Sequence, residues 1–187
     1  YIGGAEHSVL HLLYSRFLTK VFYDLGLIAF QEPFRKFRAH GLIIKDGAKM
    51  SKSRGNIVNP DEYIKKFGAD AIRMYLMFLG PFDQGGDFRN EGIVGIVRFL
   101  EKAYKLKSQV SNLKFQTDPK LEKLLHQTIK KITEDIENLR YNTAVSQLMI
   151  LTNEMAKQSR LSVISYRLLL LLLAPFAPYS AEELWSQ

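Results

Sequence analysis

From Ile93 to Leu173 apolar residues return at steps of three and four, and that period constrains the fold more than any other feature. Ile93, Ile96, Val97, Leu100 and Tyr104 share one face. Leu121, Leu124, Leu125, Ile129, Ile132, Ile136 and Leu139 share another, behind an Asp118-Pro119 start signal. Asn142 is expected to cap a third helix through Leu148, Leu151 and Met155, and a fourth covers Ser162 to Leu173. "SAEE", Ser180 to Glu183, reads as a capping box that opens a last helix. Amphipathic helices joined by short links make a bundle, so residues 91–187 are expected to be all-α. Tyr104, Tyr141, Met149 and Met155 are assigned to its core.

The first ninety residues read differently. "YIGG" resembles a strand end running into a glycine turn, and a helix is expected from Glu6 onward, with Gly26 as its stop. "FRAHGLII" is strand-like, and the Asp46-Gly47 pair behind it signals a hairpin turn. "NPDEYIKKFG" carries Asn59 as N-cap, Pro60 at the first helical position and Gly68 as a stop. Asp70 is expected to cap the helix that follows. "GPFDQGGDFRNEG", residues 80–92, reads as turns and marks a boundary. The fold class is therefore α/β followed by all-α. The expected units are 1–57, 58–90 (linking helices) and 91–187 (the bundle).

Composition narrows the chemistry. Without a cysteine there are no disulfides and no thiolate zinc sites. Lys and Arg number 26 against 19 acids, giving +7 spread over both halves, which favours polyanionic partners such as RNA or nucleotides. The run Val163 to Pro178 is broken by Arg167 and Pro175 and reads as a core helix, so no membrane role is expected. The first residues lack a basic stretch ahead of an apolar one, which points to a cytoplasmic protein. The opening "YIGGAEH" begins as though in mid-domain, and a piece of a longer protein is expected.

Two stretches could carry chemistry. "DGAKMSKSRGN", Asp46 to Asn56, sets Lys49, Lys52 and Arg54 beside Ser51 and Ser53 on a turn. Two ammonium groups three positions apart can reach one triphosphate, and the serine hydroxyls and glycine-flanked amides add donors. A solvated basic loop would have the same composition. Near the start, Gly3 and Gly4 would let a ligand approach the backbone at a strand end. Glu6 could accept from ribose hydroxyls, or simply favour a helix N-terminus. His7 and His11 lie four apart and could in principle hold a metal, but no third ligand is evident and none is assigned.

The literal strings add to this. "KMSKSRGN" resembles the second signature of class I aminoacyl-tRNA synthetases. "YIGGAEHSVLHLLYSRF" resembles the segment of leucyl-tRNA synthetases that lines the aminoacyl-adenylate pocket. "EPFRKFRAHGLIIKDGAKMSKS", "KFGADAIRMYLMFLGP" and "LLLLAPFAPYSAEELW" continue the resemblance in order. It implies a Rossmann-like core segment with an anticodon-binding type bundle, and activation of leucine by ATP with Mg²⁺. Transfer to tRNA(Leu) would follow. It also implies a monomer that does not bind DNA. It assigns Lys52 and Lys49 to catalysis, and Gly3, Gly4, Glu6, His7, Met50, Ser51, Lys52 and Ser53 to ATP. His11 goes to the amino-acid pocket. The family's His-x-Gly-His signature, its editing domain, an insertion ahead of the lysine loop and the carboxyl-terminal extension are absent, so this stretch alone is expected to be inactive. The rival reading is a non-catalytic basic helical RNA-binding module.

Overall fold

The computed structural model describes residues 1–111 and 118–186. Strand β1 (Ile2–Gly4) pairs in parallel with β2 (Arg38–His40), setting Gly4 opposite His40. Between them runs α1 (His11–Asp24). The helix expected from Glu6 therefore starts later: Ala5–Ser8 is a single 3-10 turn, and regular helix begins at His11. Leu10, the residue just before the helix, has φ −111° and ψ −106°, which a continuous helix cannot contain. Most large apolar residues of α1 stay open to solvent, among them Leu13, Phe17, Leu18 and Phe22.

"FRAHGLII" is two strands rather than one. After β2 the chain breaks at Gly41 and resumes as β3 (Leu42–Lys45). β3 turns through Asp46-Gly47, both at positive φ (55° and 71°), into β4 (Ala48–Lys49), with Lys45 opposite Ala48. That is the hairpin the Asp-Gly pair announces. On its other edge β3 takes a parallel partner, β5 (Gly85–Asp87), which lies inside the stretch read from sequence as turns. The glycines there serve close packing. A Cβ on Gly41 would stand 2.1 Å from the Gln84 carbonyl carbon, so two backbones cross where only glycine fits.

Helices α2 (Pro60–Phe67) and α3 (Ala69–Phe78) follow the loop. Asn59 caps α2 by accepting from the Asp61 amide, as the motif implies. Asp70 does not cap α3. It lies within α3, 5 % exposed, and its carboxylate accepts the amides of Ser180 (2.6 Å) and Tyr179 (3.4 Å). Those amides open α8 (Pro178–Ser186), so the acid caps a helix more than a hundred residues away. The capping box expected at Ser180 is correspondingly not formed: Ser180 already sits inside α8, and Glu183 accepts from the Tyr104 hydroxyl at 2.7 Å.

The bundle comprises α4 (Gly92–Leu106), α5 (Pro119–Glu137), α6 (Tyr141–Met155), α7 (Val163–Leu173) and α8. A short parallel pair, β6 (Val110–Ser111) with β7 (Leu161–Ser162), ties the lead-in of α7 to the end of α4. Asp118 caps α5 as the sequence leads one to expect, and Ser162, read as the first residue of the fourth helix, caps α7 instead. Asn142 does not cap α6, which starts one residue earlier. The α5–α6 corner is made instead by Leu139 at φ 58° and by Asp135. Wholly buried, Asp135 accepts from Lys131 Nζ (2.8 Å), Arg140 Nε (2.8 Å) and Thr143 Oγ1 (2.6 Å). One apolar core runs from Ala71, Met74 and Tyr75 of α3 through Leu148 and Leu169 to Leu184 of α8. Met155 is buried in it, while Tyr104, Tyr141 and Met149 pack against it half-buried.

Candidate active site

The lysine loop grows directly from the β3–β4 hairpin. Lys49 ends β4, Met50 is half-buried against the core, and Lys52–Arg54 form one 3-10 turn closed by Gly55. Asn56 holds the loop in shape. Its side-chain oxygen accepts from the Ser51 amide at 2.9 Å. Its amide nitrogen reaches the carbonyls of Lys45 (3.2 Å) and Lys49 (3.3 Å). A single side chain thus fastens the turn to both strands of the hairpin. The sequence reading quoted Asn56 but gave it no role. The available signal was an asparagine placed where donor and acceptor are both needed beside a loop too short for its own ladder.

Within the loop the Ser51 and Ser53 hydroxyls lie 3.2 Å apart. Lys49, Lys52 and Arg54 are exposed, and no acid among the described residues pairs with any of them. Three unpaired cations on a fastened turn keep their charge available for an anion.

The other motif meets this loop. Glu6 folds back over Gly4, whose Cβ, if present, would lie 2.6 Å from Glu6 Oε2. A hydrogen bond from its own backbone N–H holds the Glu6 carboxyl below the usual carboxylate range. Partial desolvation opposes that, and the charges of Lys49, His7 and His40 reinforce it. The Lys49 ammonium therefore acts on Glu6 across the gap between the motifs. His40, which the sequence reading passed over, joins them at the end of β2.

His11 belongs to a different cluster. Its ring stacks on Tyr1 (centroids 5.6 Å apart, 14° between planes), and Nδ1 lies 3.3 Å from the Tyr1 hydroxyl. Phe34 and Phe37 pack on the same tyrosine. His7 and His11 thus serve separate neighbours, one by Glu6 and one by Tyr1. No group of three or more His, Asp or Glu that could hold a metal ion occurs among the described residues. Nor is any helix among them long and apolar enough to cross a membrane.

Two family models match the chain: the class I tRNA synthetases (I, L, M and V) over residues 16–88, and the anticodon-binding domain of tRNA ligases over residues 118–187. The chain thus carries a segment like that of the class I tRNA synthetases followed by one like their anticodon-binding domain. Leucine–tRNA ligase of Dehalococcoides mccartyi is 46% identical, matching 100% of this chain and 24% of its own length. That of Chlorobaculum parvum is 49% identical over 99% of this chain and 24% of its own length. The chain thus spans about a quarter of the relatives it matches.

Among solved structures, the ternary complex of Agrobacterium radiobacter K84 agnB2 LeuRS with tRNA and LeuAMS superposes with a TM-score of 0.83. It is 36% identical, covering 100% of this chain and 27% of its own. Methionyl-tRNA synthetase of Mycobacterium tuberculosis, 20% identical with a TM-score of 0.72 over 98% of this chain and 43% of its own, shares the fold. The architecture is accordingly that of a class I synthetase, a segment of Rossmann-like core followed by helices.

Proposed function

We propose that these residues work within a leucine–tRNA ligase, supplying the lysine-loop half of its catalytic site and its anticodon-side helical bundle. The observation that carries this is the loop itself: three unpaired cations on a turn fastened by Asn56, one of them acting on Glu6. The kinship with leucine–tRNA ligases supports leucine as the amino acid, and tRNA(Leu) as the acceptor.

In the first step a leucine carboxylate oxygen attacks the α-phosphorus of ATP. The bond to the α–β bridging oxygen breaks, and pyrophosphate leaves. Catalysis here is positioning and charge stabilisation, since there is little covalent work for the protein. Lys52, then Lys49, meet the charge that grows on the leaving phosphates, with Ser51 and Ser53 as hydroxyl donors. Met50 anchors the loop beneath them. Gly3 and Gly4 let the adenosine approach, Glu6 accepts from its ribose, and His7 stands beside Glu6. His11, on Tyr1, faces the amino-acid side. Mg²⁺ bound to the ATP phosphates would neutralise part of their charge, and the described residues offer it no cage of their own. In the second step a 3′-terminal ribose hydroxyl of tRNA attacks the leucyl carbonyl and AMP departs.

Only contacts that strengthen in the transition state raise the rate. In the full-length enzyme, Lys52→Ala should lower kcat for leucine-dependent ATP–pyrophosphate exchange by about 10²–10³, as for a lost transition-state donor. The KM for leucine should stay put. A single-turnover measurement of adenylate formation decides: a wild-type rate with weakened ATP binding would reduce the loop to a docking patch.

A further inference from the structure

Between β2 and the bundle lies a polar cavity of about 330 Å³ that the reaction above does not use. Its walls come from three places: the start of β2, the Pro81–Asp83 turn and the α5–α6 corner. The walls are joined, because the Phe82 ring meets His40 edge-on at 6.2 Å and Tyr141 at 6.1 Å. Two arginines face into this junction. Arg38 has no side-chain partner among the described residues. Arg140 has its Nε fixed on buried Asp135, which leaves its terminal amines without a partner among them. A guanidinium locked by one edge and open at the other is pre-organised for a phosphate oxygen. The lining acid, Asp83, leaves one net positive charge. Asn138 spends its amide nitrogen on the Glu134 carbonyl, keeping its oxygen free, and Asn142 adds a second carboxamide.

We infer that this cavity receives one nucleotide of the RNA substrate, its phosphate between Arg38 and Arg140 and its ribose against Asn138 and Asn142. The volume exceeds what a bare phosphate fills. Carboxamides beside the arginines can read a 2′-hydroxyl, the group that separates RNA from DNA. Phe37, exposed on the rim, offers a face on which a base can stack. The bound nucleotide would span the β1–β2 pair and the corner of the bundle, bracing the two against each other. The inference rests on the tRNA-ligase reading and goes beyond it in naming a contact.

The test is made in the full-length enzyme. Arg38→Gln should weaken binding of a tRNA(Leu) transcript about ten-fold. It should also lower the slope of log K against log salt by about 1, the signature of one lost phosphate contact. Leucine-dependent ATP–pyrophosphate exchange, which needs no tRNA, should be unchanged. Arg140→Gln should do the same, and because it also disturbs Asp135, Arg38→Gln decides if the two disagree. Wild-type affinity and slope in Arg38→Gln would overturn the inference. So would displacement of tRNA from the wild type by inorganic phosphate at matched ionic strength, which would mark a pocket for a free anion. Absence of exchange in the wild type would instead strike the leucine–tRNA ligase reading itself.

Discussion

Asp135 shows how much one buried residue can organise. Burial pushes its carboxyl up, but hydrogen bonds from Lys131, Thr143 and Arg140 outweigh it and hold the group below the usual carboxylate range. A carboxyl depressed in the folded state contributes stability that is complete above its unfolded value, about 4, and disappears as pH falls through the folded one. Denaturant titrations of the wild type should therefore lose stability below about pH 4. Asp135→Asn should be weaker by about 1–3 kcal/mol at pH 7 and show a shallower acid slope. Equal slopes in the two proteins would mean that other acids set the acid limit. The tie of Lys131 and Arg140 to Asp135 was not legible in the sequence. Asp135 sits four after Lys131, a spacing every exposed helix pair also shows. Asn56 was hidden for a related reason: a side chain that bonds three backbone groups looks, in sequence, like any loop asparagine.

Among elements, local signals were readable and distant ones were not. Asn59-Pro60, Asp118-Pro119 and Ser162 start helices where their patterns say, because each cap acts within three residues of itself. Asp70 and the Ser180–Glu183 box misled for the opposite reason, since the first turn of α8 is satisfied from α3 rather than from its own serine. Strand β5 escaped because glycine carries no strand propensity, and its pairing with β3 exists only once backbones can touch. Asp70→Ala strips two amides of a buried acceptor. It should cost about 1–3 kcal/mol in thermal or denaturant unfolding. Arg73 Nη2 on the Pro175 carbonyl, 3.1 Å, would remain as the other tether between α3 and the α7–α8 turn. A loss within about 0.5 kcal/mol, the range of ordinary surface changes, would show that the cap is redundant.

At the scale of the whole molecule, the Gly-rich stretch at 80–92 divides the sequence more sharply than it divides the packing. Ala71, Met74 and Tyr75 of α3 are as buried as any residue of the bundle, and they share its core. Tyr75 also donates to the Arg89 carbonyl at 2.6 Å and accepts its amide at 2.9 Å, locking the chain just before α4. We therefore expect residues 58–187 to melt cooperatively when produced alone, with residues 91–187 helical by circular dichroism but markedly less stable. A 91–187 piece as stable as the longer one would assign α3 to the catalytic side.

The open face of α1 has a colloidal consequence. Leu13, Phe17, Leu18 and Phe22 form part of an apolar surface that water must cover, and contiguous patches of that kind drive chains together. A solution of these 187 residues should scatter light increasingly with concentration and with sulfate, which strengthens apolar association. Leu13→Glu with Phe17→Glu should suppress the scattering and leave the circular dichroism spectrum unchanged, since neither side chain holds anything in place. Scattering that persisted in the double variant would move the sticky surface elsewhere on the molecule.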